Sequence, residues 1–218
     1  MPRTESISSE TVEHIIARIV ERCEVLVRAG RRTEILNERY LHHMFSWEVG
    51  QWYANHNIDP WEHLLIAPEC PTSRKFRRGG IDLDDDAATM ANAIDQGKCG
   101  NIDFVLPGTF PICVEWKGPK FFGEQEAVEV FIKLLTEPPE SPKFFAGVLT
   151  SSTTGQYDHI PTAKRRLTAS LRFAMSVLNL ESIDNLNLFV CLATILTRDG
   201  RTSSGEKSPM EILNRRIN

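Results

Sequence analysis

The sequence lacks the segments that would place it in a membrane or outside the cell. No apolar run approaches the roughly 20 residues that a helix needs to cross a bilayer. The chain starts with Met-Pro-Arg-Thr-Glu-Ser, which is too polar for a secretory signal. We therefore expect no membrane association and a cytoplasmic location.

Paired cysteines are also missing. The five cysteines are scattered at positions 23, 70, 99, 113 and 191, and no two of them have the Cys-x-x-Cys spacing of a metal site. An odd number of dispersed cysteines favours a reducing compartment over a disulfide framework.

An excess of positive charge is absent too. The formal net charge is −4, which argues against a protein that coats nucleic acid with a broadly basic surface. This net charge is still compatible with a local basic groove. The 218 residues are 41% hydrophobic and 25% charged, which is typical of a globular protein. We expect a single domain over residues 1–218 with its core at about 33–197.

The most informative stretch is a predicted hairpin. Two short apolar runs, residues 102–106 and 112–116, flank a Pro-Gly-Thr-Phe-Pro loop, which is typical of two antiparallel strands. If residues 106 and 112 pair, Asp103 lies opposite Glu115, with Cβ atoms ~4.5–5.5 Å apart. Two carboxylates so placed repel, and magnesium, which is often held by one or two carboxylates, would offset the repulsion. Lys117 shares a strand face with Glu115.

Asp103, eleven intervening residues and Glu115-Trp116-Lys117 resemble the motif of the PD-(D/E)xK nuclease superfamily. The proline that precedes the aspartate in that motif is replaced here by Ile102. The resemblance covers the motif and, more weakly, the order of elements from about residue 33 to 152. It implies an α/β, restriction-endonuclease-like fold, in which helices flank a central mixed sheet. To this we add an N-terminal helix at about 9–30 and a C-terminal helix at about 209–215.

The resemblance implies a metal-dependent nuclease that hydrolyses phosphodiester bonds. DNA is the expected substrate because the family mostly acts on DNA. Asp103 and Glu115 would hold Mg²⁺ or Mn²⁺, and Lys117 would position the attacking water or neutralise developing charge. Many nucleases of this size act as dimers, so a homodimer is a further expectation.

Other residues are candidates for supporting roles. Family members often add an acidic residue from the helix before the sheet, and Glu38 matches that position as a third metal ligand. The alternative is a surface glutamate paired with His42 at i,i+4. His42 and His43 are adjacent, so their rings diverge on a helix and a two-histidine metal site is not expected. Asp82 competes with Asp103 as a metal ligand.

Two polar segments complete the predicted site. Residues 71–80 are typical of a mobile basic loop that contacts phosphates, although a plain solvated loop fits equally well. Its candidate nucleic-acid-binding residues are Arg74, Lys75, Arg77 and Arg78. A helix predicted at 123–135 begins near Glu124 and Gln125, which are candidate supporting residues.

A second function stays open. The hairpin charges could instead form the solvated face of a half-exposed strand. The near-neutral net charge and the small number of basic clusters favour a noncatalytic protein of the same fold that acts as a binding or assembly module.

Overall fold

The computed structural model describes residues 6–29, 37–59, 66–76, 87–92, 94–118, 124–151, 159–182, 186–196 and 211–213. In chain order, its elements are α1 (Ser9–Arg28), α2 (Glu38–Asn55), β1 (Ala67–Phe76), α3 (Ala87–Ala91), β2 (Lys98–Leu106), β3 (Ile112–Lys117), α4 (Glu124–Leu135), β4 (Lys143–Ser151), α5 (His159–Val177), β5 (Leu188–Leu196) and β6 (Glu211–Leu213).

The strands form one mixed sheet in the order of the chain, from β1 to β6. The first three are antiparallel neighbours, β3, β4 and β5 are parallel, and β6 is antiparallel to β5. Parallel neighbours need a crossover connection, and α4 and α5 occupy those two connections. The predicted α/β architecture with a mixed sheet flanked by helices is confirmed.

Helices cover both faces of the sheet, and both faces of β3 are therefore buried. Val114 and Trp116 pack in a core with α1 and α2. Cys113 packs in a second core with α4 and α5. Within the described ranges, no helix combines the length and the apolar character needed to cross a bilayer.

The hairpin register is confirmed where the two strands pair. Leu106 lies opposite Ile112, Val105 opposite Cys113, and Phe104 opposite Val114. The N-terminal helix is confirmed as well. It begins after Ser8, whose hydroxyl accepts a hydrogen bond from the Thr11 backbone N–H over 3.1 Å, as expected for an N-cap.

The prediction of a loop at residues 71–80 is wrong for its first part. β1 continues to Phe76, which pairs with Lys98 of β2. The register of the pairing shifts between Pro71 and Lys75. Thr72 helps to hold the strand, because its hydroxyl accepts the Gly100 N–H over 3.0 Å. Prolines are compatible with an edge strand. Pairing with β2 therefore outweighs a loop-like local composition.

The predicted C-terminal helix is also wrong at the residues that the structure describes. Glu211–Leu213 form β6, whose Leu213 pairs with Val190 of β5. The available edge of β5 offers backbone partners that a short, weakly patterned segment cannot supply for itself.

Candidate functional site

Asp103 lies where the pairing of β2 and β3 ends. The last paired residues are Phe104 and Val114. One residue farther on, Oδ2 of Asp103 accepts the backbone N–H of Trp116 over 2.7 Å. The Asp103 residue is only 8% exposed, so its carboxylate is fixed at the carboxyl end of β3.

The first turn of α2 reaches the same place. Asn37 caps this helix by accepting the Tyr40 N–H over 3.0 Å. Gly118, directly after β3, allows the close approach. A Cβ atom at Gly118 would lie 3.0 Å from the Glu38 backbone nitrogen. The end of β3 is thereby packed against the residue that begins α2.

Glu38, His42 and Asp103 converge between α2 and β2. His42 Nε2 lies 3.2 Å from Asp103 Oδ2 and 4.0 Å from Glu38 Oε1. One potential ligand atom from each of the three residues lies within 4.8 Å of the others. This group could hold a metal ion. His42 was not expected there, although its i,i+4 spacing from Glu38 places both on one helix face.

Lys117 extends from the end of β3 between two helices. Its Nζ lies 3.4 Å from Glu38 Oε1 on α2 and 3.6 Å from Glu126 Oε1 on α4. Burial opposes the charge, but the nearby carboxylates, Glu38 first among them, outweigh it and raise the pKa of Lys117. Lys117 therefore stays protonated and acts as a hydrogen-bond donor.

Glu115 has a partner that sequence reasoning missed. Its side chain is fully buried and forms an ion pair with Lys133 of α4. The same ammonium donates to the Asn101 carbonyl over 2.8 Å. The other carboxylate oxygen, Glu115 Oε2, has no hydrogen-bond partner among the described residues. A lysine in the apolar run of α4 was the only sequence signal for this pair.

The two strand carboxylates differ in their electrostatics. Burial alone would raise the pKa of Asp103, but the contact with His42 and the hydrogen bond from Trp116 reverse this and hold it below its usual value. Burial raises the pKa of Glu115 to about 7; Lys133 opposes that rise and Asp103 adds to it. Asp103 is therefore the more readily ionised of the two.

The charges of Asp103 and Glu38 also change the pKa of His42. Burial lowers its pKa, but Asp103 and Glu38 overcome that effect and raise it above the usual value. The contact with Asp103 lacks hydrogen-bond geometry and is an ion pair when the imidazole is protonated. His42 Nε2 is buried and has no hydrogen-bond partner within the described part of the chain.

Two of the four candidate nucleic-acid-binding residues, Arg74 and Lys75, lie on β1. Arg74 pairs through two nitrogens with Asp95, whereas Lys75 is exposed. Lys75 lies opposite Cys99, which is roughly 13 Å along β2 from Asp103 at the usual strand rise. Arg77, Arg78 and the competing ligand Asp82 lie outside the described residues.

The supporting residues lie at the start of α4. Glu124 Oε1 lies 3.9 Å from Arg166 Nε of α5, and the Glu124 carbonyl accepts from the Ser170 hydroxyl over 3.3 Å. Gln125 is exposed. Glu126, one residue farther on, is the first-turn residue with a described contact to Lys117.

Comparisons of the chain with protein-family models, with curated proteins and with solved structures gave no match. The resemblance of the segment from Asp103 to Lys117 to PD-(D/E)xK nucleases therefore stays a prediction. Its functional meaning depends on the chemistry of the site.

Proposed function

We propose that the protein is a metal-dependent nuclease of the PD-(D/E)xK type, with a restriction-endonuclease-like arrangement of its sheet, and that it hydrolyses phosphodiester bonds in DNA. The observation that carries the proposal is the convergence of Glu38, Asp103 and Lys117 at the carboxyl end of β3. The order of α2, the β2–β3 hairpin with the motif, α4 and the parallel strand β4 supports the same conclusion, because the resemblance implies the order helix, hairpin, helix and strand.

The residues present fit a divalent cation. Glu38 and Asp103 supply carboxylate oxygens, and the low pKa of Asp103 keeps that group ionised. A bound divalent cation would supply an activated water and would stabilise negative charge on the scissile phosphate. The carboxylates that hold such an ion are positioned by the Trp116 N–H and by the close approach of Gly118 to Glu38.

Lys117 would act on the substrate as a charged donor. Its side chain is only 12% exposed, and its Nζ lies between Glu38 and Glu126. In this position it can orient the attacking water or donate to a phosphate oxygen. The neighbouring carboxylates raise its pKa, which favours the charged form that such a donor needs. The exposed Lys75, on the neighbouring part of the sheet, would contact the nucleic-acid backbone.

Cleavage assays test the proposal directly. Plasmid DNA and single-stranded DNA are incubated with wild-type protein and Mg²⁺ or Mn²⁺, with EDTA as the metal-free control. Lys117→Met should lower the cleavage rate by roughly 10²–10³-fold, as for loss of a transition-state donor. Arg172→Met, which removes one charge from an exposed position on α5, should cut as the wild type does. Folded wild-type protein that cuts none of these substrates would contradict the proposal.

A noncatalytic binding or assembly module is the second candidate. One observation favours it: the two strand carboxylates are already compensated, Glu115 by Lys133 and Asp103 by the Trp116 N–H. The pair therefore does not need a metal ion to persist in a scaffold. Calorimetric titration with Mn²⁺ and Mg²⁺ separates the two functions, because the scaffold should bind neither ion. A homodimer stays a prediction for either function.

A further inference from the structure

Two of the three distances between the donor atoms beside β3 match the spacing of ligands around one ion. The two distances from His42 Nε2 are 3.2 Å to Asp103 Oδ2 and 4.0 Å to Glu38 Oε1. Two donors that each bind one ion at about 2.1 Å lie roughly 3.0–4.2 Å apart, depending on the angle between them. Both distances fall in that range, and all three donor atoms lie within 4.8 Å of one another.

His42 Nε2 is suited to be a metal ligand rather than a structural donor. The atom is buried, faces two carboxylates, and has no hydrogen-bond partner in the described part of the chain. A buried imidazole nitrogen that serves only the fold is normally hydrogen-bonded. An unprotonated imidazole nitrogen is a common ligand of transition metals.

Glu115 provides a second, independent observation. Its side chain is fully buried, and Lys133 holds only one of its two oxygens. The other, Oε2, lacks a partner among the described residues. Glu115 follows directly after the last paired residue, Val114, as Asp103 precedes Phe104. A buried carboxylate oxygen needs a donor, and a water molecule bound to an ion at Asp103 would provide one.

We propose that Glu38, His42 and Asp103 hold a single divalent cation, that Glu115 contacts it only through water, and that the ion is a first-row transition metal rather than magnesium. This inference refines the metal site of the proposed function and rests on it. It differs from the ligand set that the sequence implies, in which Glu115 is a direct ligand and histidine has no part.

The donor set explains the metal preference. Magnesium selects oxygen ligands and keeps several waters, whereas an imidazole nitrogen raises affinity for manganese, iron, cobalt or zinc. The ammonium of Lys133 already neutralises Glu115. A second ion would have to displace that buried ion pair, so one ion per chain is expected.

Isothermal titration of metal-free protein with Mn²⁺ and Mg²⁺ tests the proposal without any substrate. We expect one Mn²⁺ per chain, bound at least tenfold more tightly than Mg²⁺. His42→Ala should weaken Mn²⁺ binding at least tenfold. It should also reduce the difference between the affinities for Mn²⁺ and Mg²⁺. His43→Ala, at the exposed neighbouring position, is the matched control and should bind as the wild type does. Glu115→Gln should weaken Mn²⁺ binding less than His42→Ala.

Electron spin-echo spectroscopy of the wild-type protein with Mn²⁺ provides a test that does not depend on a variant's folding. Coupling of the manganese to an imidazole ¹⁴N nucleus is expected. No nitrogen coupling, two ions per chain, equal affinity for the two metals, or a larger loss in Glu115→Gln than in His42→Ala would overturn the inference. These results would leave nuclease activity with another ligand set intact. Histidine-dependent Mn²⁺ binding without any cleavage would instead remove the proposed function.

Discussion

The backbone N–H of Trp116 donates to Asp103 Oδ2 over 2.7 Å, at the point where the β2–β3 ladder stops. A side-chain carboxylate thus accepts a strand N–H that a backbone carbonyl would otherwise accept. The contact lowers the pKa of Asp103 and orients its carboxylate next to His42. Strand pairing and the candidate metal site therefore depend on the same atom.

Two substitutions of Asp103 should separate the effect of its charge on cation binding from the effect of its hydrogen bond on stability. Asp103→Asn keeps an acceptor for the Trp116 N–H and should retain most of the stability while it loses cation binding. Asp103→Leu leaves that buried N–H without its acceptor and should cost about 1–3 kcal/mol. Urea unfolding of both variants checks the difference. Equal stability of the two would show that the hydrogen bond contributes little.

The Glu115–Lys133 pair should show strong coupling in a double-mutant cycle. Lys133→Met leaves a fully buried carboxylate without its cation and should destabilise by about 3–5 kcal/mol. Adding Glu115→Gln should recover much of that loss, because the remaining group is uncharged. Lys98→Met, at an exposed lysine of β2, is the control for loss of one positive charge. Additive effects of the two substitutions in denaturant unfolding would contradict the coupling.

Glu115 should make stability depend on pH in the absence of metal. Its folded-state pKa of about 7 lies above the ordinary value of 4.5. The folded chain therefore binds the proton more tightly than the unfolded chain does. The resulting stabilisation is fully present below pH 4.5 and is lost as the pH rises through 7. With EDTA present, wild type should lose stability relative to Glu115→Gln across this window, as measured by urea unfolding. If the difference in free energy of unfolding between the two proteins does not change with pH, the pKa of Glu115 is not raised.

Gly118 should control the position of Glu38. In Gly118→Ala, the added Cβ would lie 3.0 Å from the Glu38 nitrogen and 3.4 Å from the Glu38 Cβ, so α2 must shift. We expect a cost of about 1–3 kcal/mol and weaker Mn²⁺ binding in calorimetry. Gly50→Ala is the matched control, because its Cβ would meet nothing within 4 Å. On a helix this change should stabilise by about 0.5–1 kcal/mol. Unchanged metal binding in Gly118→Ala would show that this approach does not position Glu38.

The sequence predicted the features that depend on neighbouring residues. The short loop between residues 106 and 112 restricts the hairpin to few registers, and the apolar alternation selects one of them. The charges at Asp103 and Glu115 stood out because apolar strands rarely contain them.

Only the tertiary structure decided which groups meet. Lys133 reaches Glu115 and His42 reaches Asp103 because helices on opposite faces of the sheet direct side chains to one end of β3. Local periodicity gives a residue's face but not its partner across the fold. β1 and β6 became strands for a related reason. Each pairs with a strand distant in sequence, and that long-range pairing outweighs the local composition that had predicted a loop and a helix.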